Sequence, residues 1–273
     1  MSKNYLITGA CRGIGRGLSR LLLEKGHRVF LLDNAEPEIE HMRAQLPKWL
    51  SSKPTIKDQY HVFRGDLSNR SDIDRAASSA SAFFAGHVDV LINNAANTTG
   101  VIHEHRIDSP EFPELWAKTI AVNLTGSMLL TRAVLPQLRK TSTREHGGSV
   151  IFMSSTRAYQ SEPNSEAYAA TKAGLLGLSQ ALSCSLADDG IRVNAILPGW
   201  INVQNESRWG DEKGMSWEDG LTEEDHRWHF AGRVGKVEDV FRAVEYLGDG
   251  NSWVTGQECV VDGGVTRRMV YPE

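Results

Sequence analysis

The feature that most constrains the fold is a glycine-rich turn between two apolar segments near the start of the chain. Residues 5–7 have the composition of a short buried strand, residues 8–15 (TGACRGIG) form the turn, and residues 18–24 have the spacing of an amphipathic helix. Glycines let the backbone approach a pyrophosphate, and the N-terminus of the following helix favours its negative charge. Strand, glycine turn and helix in this order predict a dinucleotide-binding site.

Strand-like and helix-like segments alternate along the rest of the chain. The predicted strands cover residues 5–7, 29–32, 61–63, 88–92, 149–153, 192–197 and 258–262. The longer predicted helices cover residues 36–50, 111–140 and 237–247, and another surrounds Tyr168 and ends near Gly190. This alternation predicts one α/β domain over residues 1–273, with a Rossmann-type, doubly wound, mostly seven-stranded parallel sheet and helices on both faces.

Composition excludes several classes of function. The chain has 273 residues and a net charge of -4, with no basic patch interleaved with aromatic residues, which argues against nucleic acid as a partner. Cys11, Cys184 and Cys259 are far apart and match no metal spacing, so we predict no metal site and reduced thiols. Apolar runs of membrane-spanning length and a signal-peptide pattern are lacking, so we expect a cytoplasmic protein that binds no membrane.

The end of the second predicted strand bears on the choice of cofactor. Asp33 lies 18 residues beyond Gly15 (33 − 15 = 18), close to the spacing of about 20 for an acid that binds the adenosine ribose. A carboxylate there accepts hydrogen bonds from the ribose hydroxyls and repels a 2′-phosphate. Arg12 favours NADP instead, because a cation in the turn can pair with a 2′-phosphate, unless it is a solvated loop charge. We predict NAD as the preferred cofactor and NADP as the alternative.

Two polar segments fall where an open α/β sheet binds ligands. Asn93 begins the sequence Asn-Asn-Ala-Ala at the end of the fourth predicted strand, and asparagines there either contact a ligand or tie down a turn. Asn123 lies inside the long predicted helix, where its amide competes for backbone hydrogen bonds. It marks either a local irregularity of the helix or an exposed polar site.

Tyr168 and Lys172 are four residues apart and share one face of a predicted helix. Lowering a tyrosine pKa from about 10 by about three units takes roughly 4 kcal/mol. One positive charge about 4 Å away supplies roughly that at an effective dielectric near 20. The pair therefore predicts a tyrosine that exchanges protons near neutral pH, although this spacing also occurs as a packed ring beside a snorkelling cation.

Residues 200–232 have little periodicity and are rich in tryptophan. Four of the seven tryptophans lie here, namely Trp200, Trp209, Trp217 and Trp228. They predict a substrate lid over an apolar pocket, or an anchor to the core or to another subunit. We interpret the neighbouring His226 and His229 as surface or pocket-rim residues.

Together these segments resemble the classical short-chain dehydrogenase/reductase family over roughly residues 3–266. The family pattern TGxxxGxG matches residues 8–15, NNAG matches residues 93–96, and the PG turn matches Pro198 and Gly199. The catalytic residues of the family match Asn123, Ser155, Tyr168 and Lys172. The cofactor-binding positions correspond to Gly9, Arg12, Gly13, Ile14, Gly15, Asp33, Asp66, Leu67, Asn93, Ala95, Tyr168, Lys172, Pro198, Gly199, Ile201 and Val203.

The resemblance implies an NAD(P)-dependent oxidoreductase that transfers a hydride between the nicotinamide and a secondary alcohol or ketone. Tyr168 would exchange the proton, Lys172 would lower the tyrosine pKa and hold the nicotinamide ribose, and Ser155 would orient the substrate oxygen. Asn123 would hold a water that links Lys172 to solvent. The resemblance also implies a homo-oligomer, a tetramer or a dimer, built through residues 111–140, 165–189, 237–247 and 257–262.

Three departures from the family pattern and three other functions stay open. Ala96 replaces a glycine, Val203 replaces a common threonine, and residues 200–232 are distinctive. An epimerase or dehydratase would use its nicotinamide transiently, but such relatives usually carry TGxxGxxG. A non-redox biosynthetic step is a further alternative. A non-catalytic dinucleotide-binding protein would typically have lost part of the catalytic set.

Overall fold

The first strand of the chain lies inside a parallel sheet, and the later strands add to the sheet on both sides of it. The computed structural model describes residues 2–51, 58–98, 105–142, 144–250 and 252–269. In this part of the chain seven parallel strands lie in the order β3-β2-β1-β4-β5-β6-β7. The strands are β1 (Asn4–Thr8), β2 (Arg28–Asp33), β3 (Tyr60–Arg64), β4 (Val90–Asn93), β5 (Ser149–Met153), β6 (Arg192–Pro198) and β7 (Glu258–Val261). The predicted fold is confirmed.

Helices cover both faces of the sheet and bury its strands. They are α1 (Gly13–Glu24), α2 (Glu36–Trp49), α3 (Arg70–Phe83), α4 (Phe112–Ile120), α5 (Ser127–Leu138), α6 (Glu166–Ser185), α7 (Arg208–Lys213), α8 (Glu223–Arg227) and α9 (Val237–Gly248). One apolar cluster packs α1, α2 and α9 against the sheet, and a second packs α3, α5 and α6 against the other face. None of the helices in the described ranges is both long and apolar enough to cross a membrane.

The long predicted helix is continuous but changes its hydrogen-bonding pattern in the middle. A π-helical turn, Ala121–Gly126, joins α4 to α5 and contains Asn123, which is 1% exposed. Asn123 thus marks a local irregularity of the helix and is not an exposed polar site, which confirms the first of the two interpretations. Gly126 is the last residue of this turn. A side chain does not fit at this position, because a Cβ there would lie 2.5 Å from the Leu67 carbonyl oxygen.

One helix boundary differs from the prediction. The helix that carries Tyr168 ends at Ser185, five residues before Gly190. Turns replace the helix because the chain must reverse before β6, and Gly190 takes a positive φ of 71° in that reversal.

The contact between α1 and α9 provides a test of the packing. A Cβ at Gly17 would lie 2.6 Å from Cγ1 of Val237, so Gly17→Ala overpacks the contact. We expect a loss of about 1–3 kcal/mol in the free energy of unfolding. In a Val237→Ala background the same change should be neutral or stabilising, because the clash is gone and alanine is the better helix former. Additive effects in urea unfolding would contradict this contact.

Candidate active site

The main cavity lies at the carboxyl edge of the sheet, where β1 and β4 diverge into loops on opposite faces. It has a volume of about 750 Å³. Its wall includes most of the predicted cofactor positions, namely Gly9, Arg12, Gly13, Ile14, Asp33, Asp66, Leu67, Ala95, Pro198, Gly199 and Val203. Ser155, Tyr168 and Lys172 lie on the same wall. The parallel order of the strands thus brings together residues that are far apart in sequence.

The glycine turn is packed so closely that side chains do not fit. Gly9 has φ +60° and a Cβ there would lie 2.8 Å from Cα of Ala95. A Cβ on Gly15 would lie 2.0 Å from the carbonyl oxygen of Gly9. Gly13 has φ +61°, which also favours glycine. The turn is therefore a backbone cradle at the N-terminus of α1, suited to a phosphate group.

Thr8 and Asn94 join the two loops of the crevice, and neither was predicted as a site residue. Thr8 Oγ1 accepts hydrogen bonds from the backbone N–H groups of Asn94 and Ala95, both at 2.9 Å. The Asn94 amide donates to the carbonyl oxygens of Thr8 and Gly9 at 2.9 and 3.1 Å. Thr8 belongs to the TGxxxGxG pattern and Asn94 to the NNAG pattern, so the two patterns could have indicated both residues from the sequence.

Asp33 is held as a fixed acceptor at the end of β2. It is 6% exposed, and its carboxylate accepts hydrogen bonds from the backbone N–H groups of Cys11, Asn34 and Ala35 at 2.9, 2.8 and 3.0 Å. These bonds orient the side chain on the cavity wall. Arg12 is exposed on the same wall, so both groups that bear on the 2′-position of a ribose reach the cavity.

Asp66 is also fixed by neighbours on the wall. Burial pushes the pKa of its carboxyl up, but hydrogen bonds from the Ser68 N–H and hydroxyl and from the Asn34 amide hold that pKa below its usual value. The Asp66–Ser68 bonds measure 2.8 and 2.7 Å. Asp66 is consequently an ionised acceptor next to Leu67 and opposite the glycine turn.

Tyr168, Ser155 and Lys172 form the polar centre of the site. The Ser155 side chain lies close enough to Tyr168 to lower the pKa of the tyrosine hydroxyl. The Lys172 ammonium group lies 5.2 Å from the centre of the tyrosine ring and donates to the Met153 carbonyl oxygen at 2.7 Å. Helix α6 supplies both Tyr168 and Lys172, and the end of β5 supplies the other partners. Met153 is a contact that the sequence did not suggest, because it acts through its backbone.

Burial dominates the acid–base properties of this centre. It raises the pKa of Tyr168, and the Ser155 side chain and the charge of Arg157 offset only part of that rise. Burial also lowers the pKa of Lys172 to about 8. Lys172 donates to the Met153 carbonyl oxygen, and its predicted role of lowering the tyrosine pKa stays a prediction.

Asn123 lies behind the centre and holds the loop after β4. Its Oδ1 accepts from the Asn97 N–H at 2.6 Å, and its Nδ2 donates to the Asn97 carbonyl oxygen and to Thr171 Oγ1, both at 3.2 Å. Thr171 directly precedes Lys172. The side chain therefore ties the cavity loop to α6, and its predicted role in holding a water stays a prediction.

Three predicted cofactor residues lie behind the cavity wall. Gly15 packs beneath Gly9, and Asn93 is 1% exposed and donates to Thr131 Oγ1 at 3.0 Å. Ile201 is 9% exposed and packs against Gly235. They support the wall from inside.

The tryptophans of residues 200–232 have different environments. Trp209 is on the cavity wall, whereas the Trp217 indole donates to the Gly235 carbonyl oxygen at 3.0 Å and anchors its loop. Trp200 and Trp228 are exposed and pack beside His229, which is 3% exposed and does not line the cavity, so our interpretation of His229 as a surface or pocket-rim residue is wrong. Trp217 thus fits the anchor interpretation, and the substrate lid stays a prediction.

The three cysteines are free thiols in three different environments. Cys11 is buried, Cys259 is partly buried and Cys184 is exposed. Burial raises the pKa of the Cys11 and Cys259 thiols, so both are protonated at neutral pH. Among the residues that the structure describes, no group of three or more histidines, cysteines or acids has the geometry to hold a metal ion.

Comparison with known proteins places this fold and site in one family. A family model described as enoyl-(acyl carrier protein) reductase matches residues 9–266. An uncharacterized oxidoreductase of Thermotoga maritima is 32% identical over 99% of this chain and 98% of its own length. Dehydrogenase/reductase SDR family member 4 of Bos taurus is 32% identical over 96% of this chain and 87% of its own length.

A solved structure shows the same architecture. The 3-ketoacyl-(acyl-carrier-protein) reductase of Brucella melitensis, complexed with NADH, superposes with a TM-score of 0.75 at 26% identity over 97% of this chain and 98% of its own. Sequence, fold and relatives agree, and the chain belongs to the short-chain dehydrogenase/reductase family of oxidoreductases.

Proposed function

We propose that this protein is an NAD(P)-dependent alcohol dehydrogenase or ketoreductase that acts on a secondary alcohol or ketone, with Tyr168 as general acid and base. The observation that carries this proposal is that Ser155, Tyr168 and Lys172 lie on the wall of the cavity that also contains the glycine turn. A proton-exchanging group and a dinucleotide cradle thereby share one space.

The residues present fit a nicotinamide dinucleotide. The glycine turn lies closely packed at the start of α1, Asp33 offers carboxylate acceptors for ribose hydroxyls, and Lys172 offers a buried cation on the same cavity wall. When bound, the cofactor supplies or accepts the hydride. The NADH held by the Brucella melitensis reductase supports this class of cofactor.

Three side chains of this protein would handle the substrate oxygen. Ser155 donates to it or accepts from it, and so orients the carbon next to the cofactor site. Tyr168 carries its proton at neutral pH because burial raises its pKa, so in the free protein it is set up as a general acid for ketone reduction. Lys172 is charged below about pH 8 and lies beside the tyrosine ring.

The position of Asp33 favours NAD over NADP. Its carboxylate is fixed by three backbone N–H groups and cannot swing away cheaply from a 2′-phosphate. Arg12 is exposed, so its attraction is more easily screened by solvent and salt. We therefore propose NAD as the preferred cofactor. From the family resemblance we also propose a homo-oligomer as the working assembly.

Replacing Tyr168 tests the proton-transfer role. Tyr168→Phe should reduce turnover by a factor of about 10² or more, because general acid catalysis contributes roughly that much. Affinity for NADH, followed by fluorescence titration, should stay within about twofold, since the tyrosine hydroxyl is a minor part of a large contact. Turnover equal to that of the wild type would remove Tyr168 from the mechanism.

Replacing Asp33 tests the cofactor preference. Titration of the wild type with NADH and NADPH should show tighter binding of NADH. Asp33→Ser should weaken NADH and reduce the discrimination against NADPH by about tenfold or more, because the repulsion of the 2′-phosphate is removed. Arg12→Gln is the matched change and should weaken NADPH selectively. A wild type that prefers NADPH would mean that Arg12 outweighs Asp33.

The buried charge of Lys172 predicts a pH-dependent stability. Its pKa is about 8 in the folded protein and about 10.4 in an unfolded chain. Between these values the unfolded chain binds more protons, so the free energy of unfolding of the wild type should rise with pH, by up to about 3 kcal/mol. Lys172→Met should lack this rise.

The measurement is urea unfolding of both proteins at several values between pH 7 and pH 10. Lys213→Met, at an exposed lysine, is the matched control and should follow the wild type. Parallel curves for wild type and Lys172→Met would show that Lys172 is not desolvated in solution.

A further inference from the structure

The segment after β6 lies across the glycine turn. Residues 204–211, here called the strap, include the end of a loop and the start of α7. The Gly13 N–H donates to the Glu206 carbonyl oxygen at 2.6 Å, which fills one of the unpaired N–H groups at the start of α1. Gln204, Glu206, Ser207 and Trp209 of the strap are on the cavity wall. The strap is therefore part of the boundary of the cofactor cavity.

Two arginines of α1 clamp the strap in place. Arg20 pairs with the Glu206 carboxylate at 2.6 Å, and Arg16 pairs with Asp211 at 2.6 Å and donates to the Ser207 carbonyl oxygen at 2.8 Å. The Arg16 and Glu206 side chains are 3% and 5% exposed. Their hydrogen-bonded partners, Asp211 and Arg20, are 29% and 24% exposed. Such charge-assisted hydrogen bonds fix geometry, and salt screens them less than fully exposed pairs.

The other side of the strap rests on α2. The backbone N–H of Arg208 donates to Glu38 Oε2 at 3.0 Å, and His41 contacts Asp211 at 2.7 Å. Helix α2 begins three residues after Asp33, the predicted ribose acceptor. The strap thus spans from the phosphate cradle to the first turns of the helix beside the ribose site.

We infer that the strap completes the adenosine and pyrophosphate end of the dinucleotide site, and that Arg16 and Arg20 are positioning residues which hold it there. The inference rests on the proposed function, since it takes the cavity to bind a nicotinamide dinucleotide. It also divides residues 200–232 by function, because the strap acts on the cofactor end of the cavity and a substrate lid would have to come from later residues.

The strap's position gives it two effects on a bound adenosine diphosphate group. The Glu206 carbonyl holds the Gly13 peptide in the orientation that shapes the cradle. Trp209 and Ser207 lie on the cavity wall that also contains Asp66 and Leu67, so a bound group of this kind would contact them. Loosening the clamp should therefore weaken any ligand that contains this group, whether or not a nicotinamide is attached.

The test is calorimetric titration of the whole protein with ADP and with NADH. Glu206→Gln keeps the shape of the side chain but removes the charge that Arg20 holds. We expect the dissociation constants for ADP and for NADH to rise by a similar factor, about five- to tenfold, which is the equivalent of roughly 1 kcal/mol. Glu212→Gln is the matched control because it removes an exposed charge from α7, paired only with Arg208 at 3.3 Å in the described contacts. It should leave both constants unchanged.

Double substitution separates the clamp from a general loss of stability. Arg20→Gln should weaken ADP as Glu206→Gln does. The loss in the double variant should be much smaller than the sum of the two single losses, because both substitutions remove the Arg20–Glu206 pair. Arg20 also pairs with Glu24 and Glu238, and these pairs remain when only Glu206 is replaced. Arg20→Lys keeps the charge and should retain most of the affinity. Trp209→Ala provides an independent variant, since Trp209 is 52% exposed and its loss should not disturb folding, and it should also weaken ADP.

Two results would overturn the inference. ADP affinity that is unchanged or tighter in both Glu206→Gln and Trp209→Ala would mean that the strap does not support the site. A loss for NADH alone, with ADP unchanged, would place the strap at the nicotinamide end. If the wild type binds NADH and the variants give either of these two results, the inference about the strap fails and the proposed function stands. If the wild type binds neither ADP nor NADH, the inference and the proposed function both fail.

Discussion

The position of β1 between β2 and β4 is the constraint on which the site depends. All three strands run parallel, so their carboxyl ends meet at one edge, and their connections leave on opposite faces because the sheet grows outward in both directions from β1. A crevice at that edge is unavoidable. The glycine turn after β1 and the Asn-Asn-Ala-Ala turn after β4 form its two sides.

The two sides can approach only because glycine stands where other residues would collide. Gly9 and Ala95 are in backbone contact, and Asn94 bridges to the carbonyl oxygens of Thr8 and Gly9. These hydrogen bonds make the crevice a single rigid unit before any ligand arrives. A rigid cradle costs little conformational entropy on binding, which is the physical advantage of building it from backbone.

Burial at the catalytic centre has opposite effects on its two titratable groups. It raises the pKa of Tyr168 and lowers that of Lys172, because in each case the charged form is the one that loses its hydration. The Coulomb estimate made from sequence considered only the lysine charge and left out this desolvation. Tyr168 is therefore neutral at pH 7, and the positive charge of Lys172 is destabilised by its burial. A polar group that contacts Lys172 would shift the pKa values of both residues.

The sequence was a good guide to the fold and to the wall of the cavity because those depend on local patterns. Apolar runs, glycine spacing and the polar residues at strand ends are visible without coordinates, and they correctly brought Asp33, Ser155 and Tyr168 to one cavity. Asn123 was ambiguous, since a buried π-turn asparagine and an exposed one look alike in sequence. Contacts made through the backbone, such as the Met153 carbonyl with Lys172, leave no side-chain signature to read.

The strap was out of reach for a different reason. Its clamp joins Arg16 and Arg20 to acids roughly 190 residues later, and surface helices commonly carry arginines for no structural purpose. Only the fold shows that Arg16 is buried and that its acidic partners come from the strap. Lifting the strap would break the Arg16–Asp211 and Arg20–Glu206 pairs together with the Gly13–Glu206 backbone hydrogen bond. These contacts hold the strap against the start of α1 in this structure.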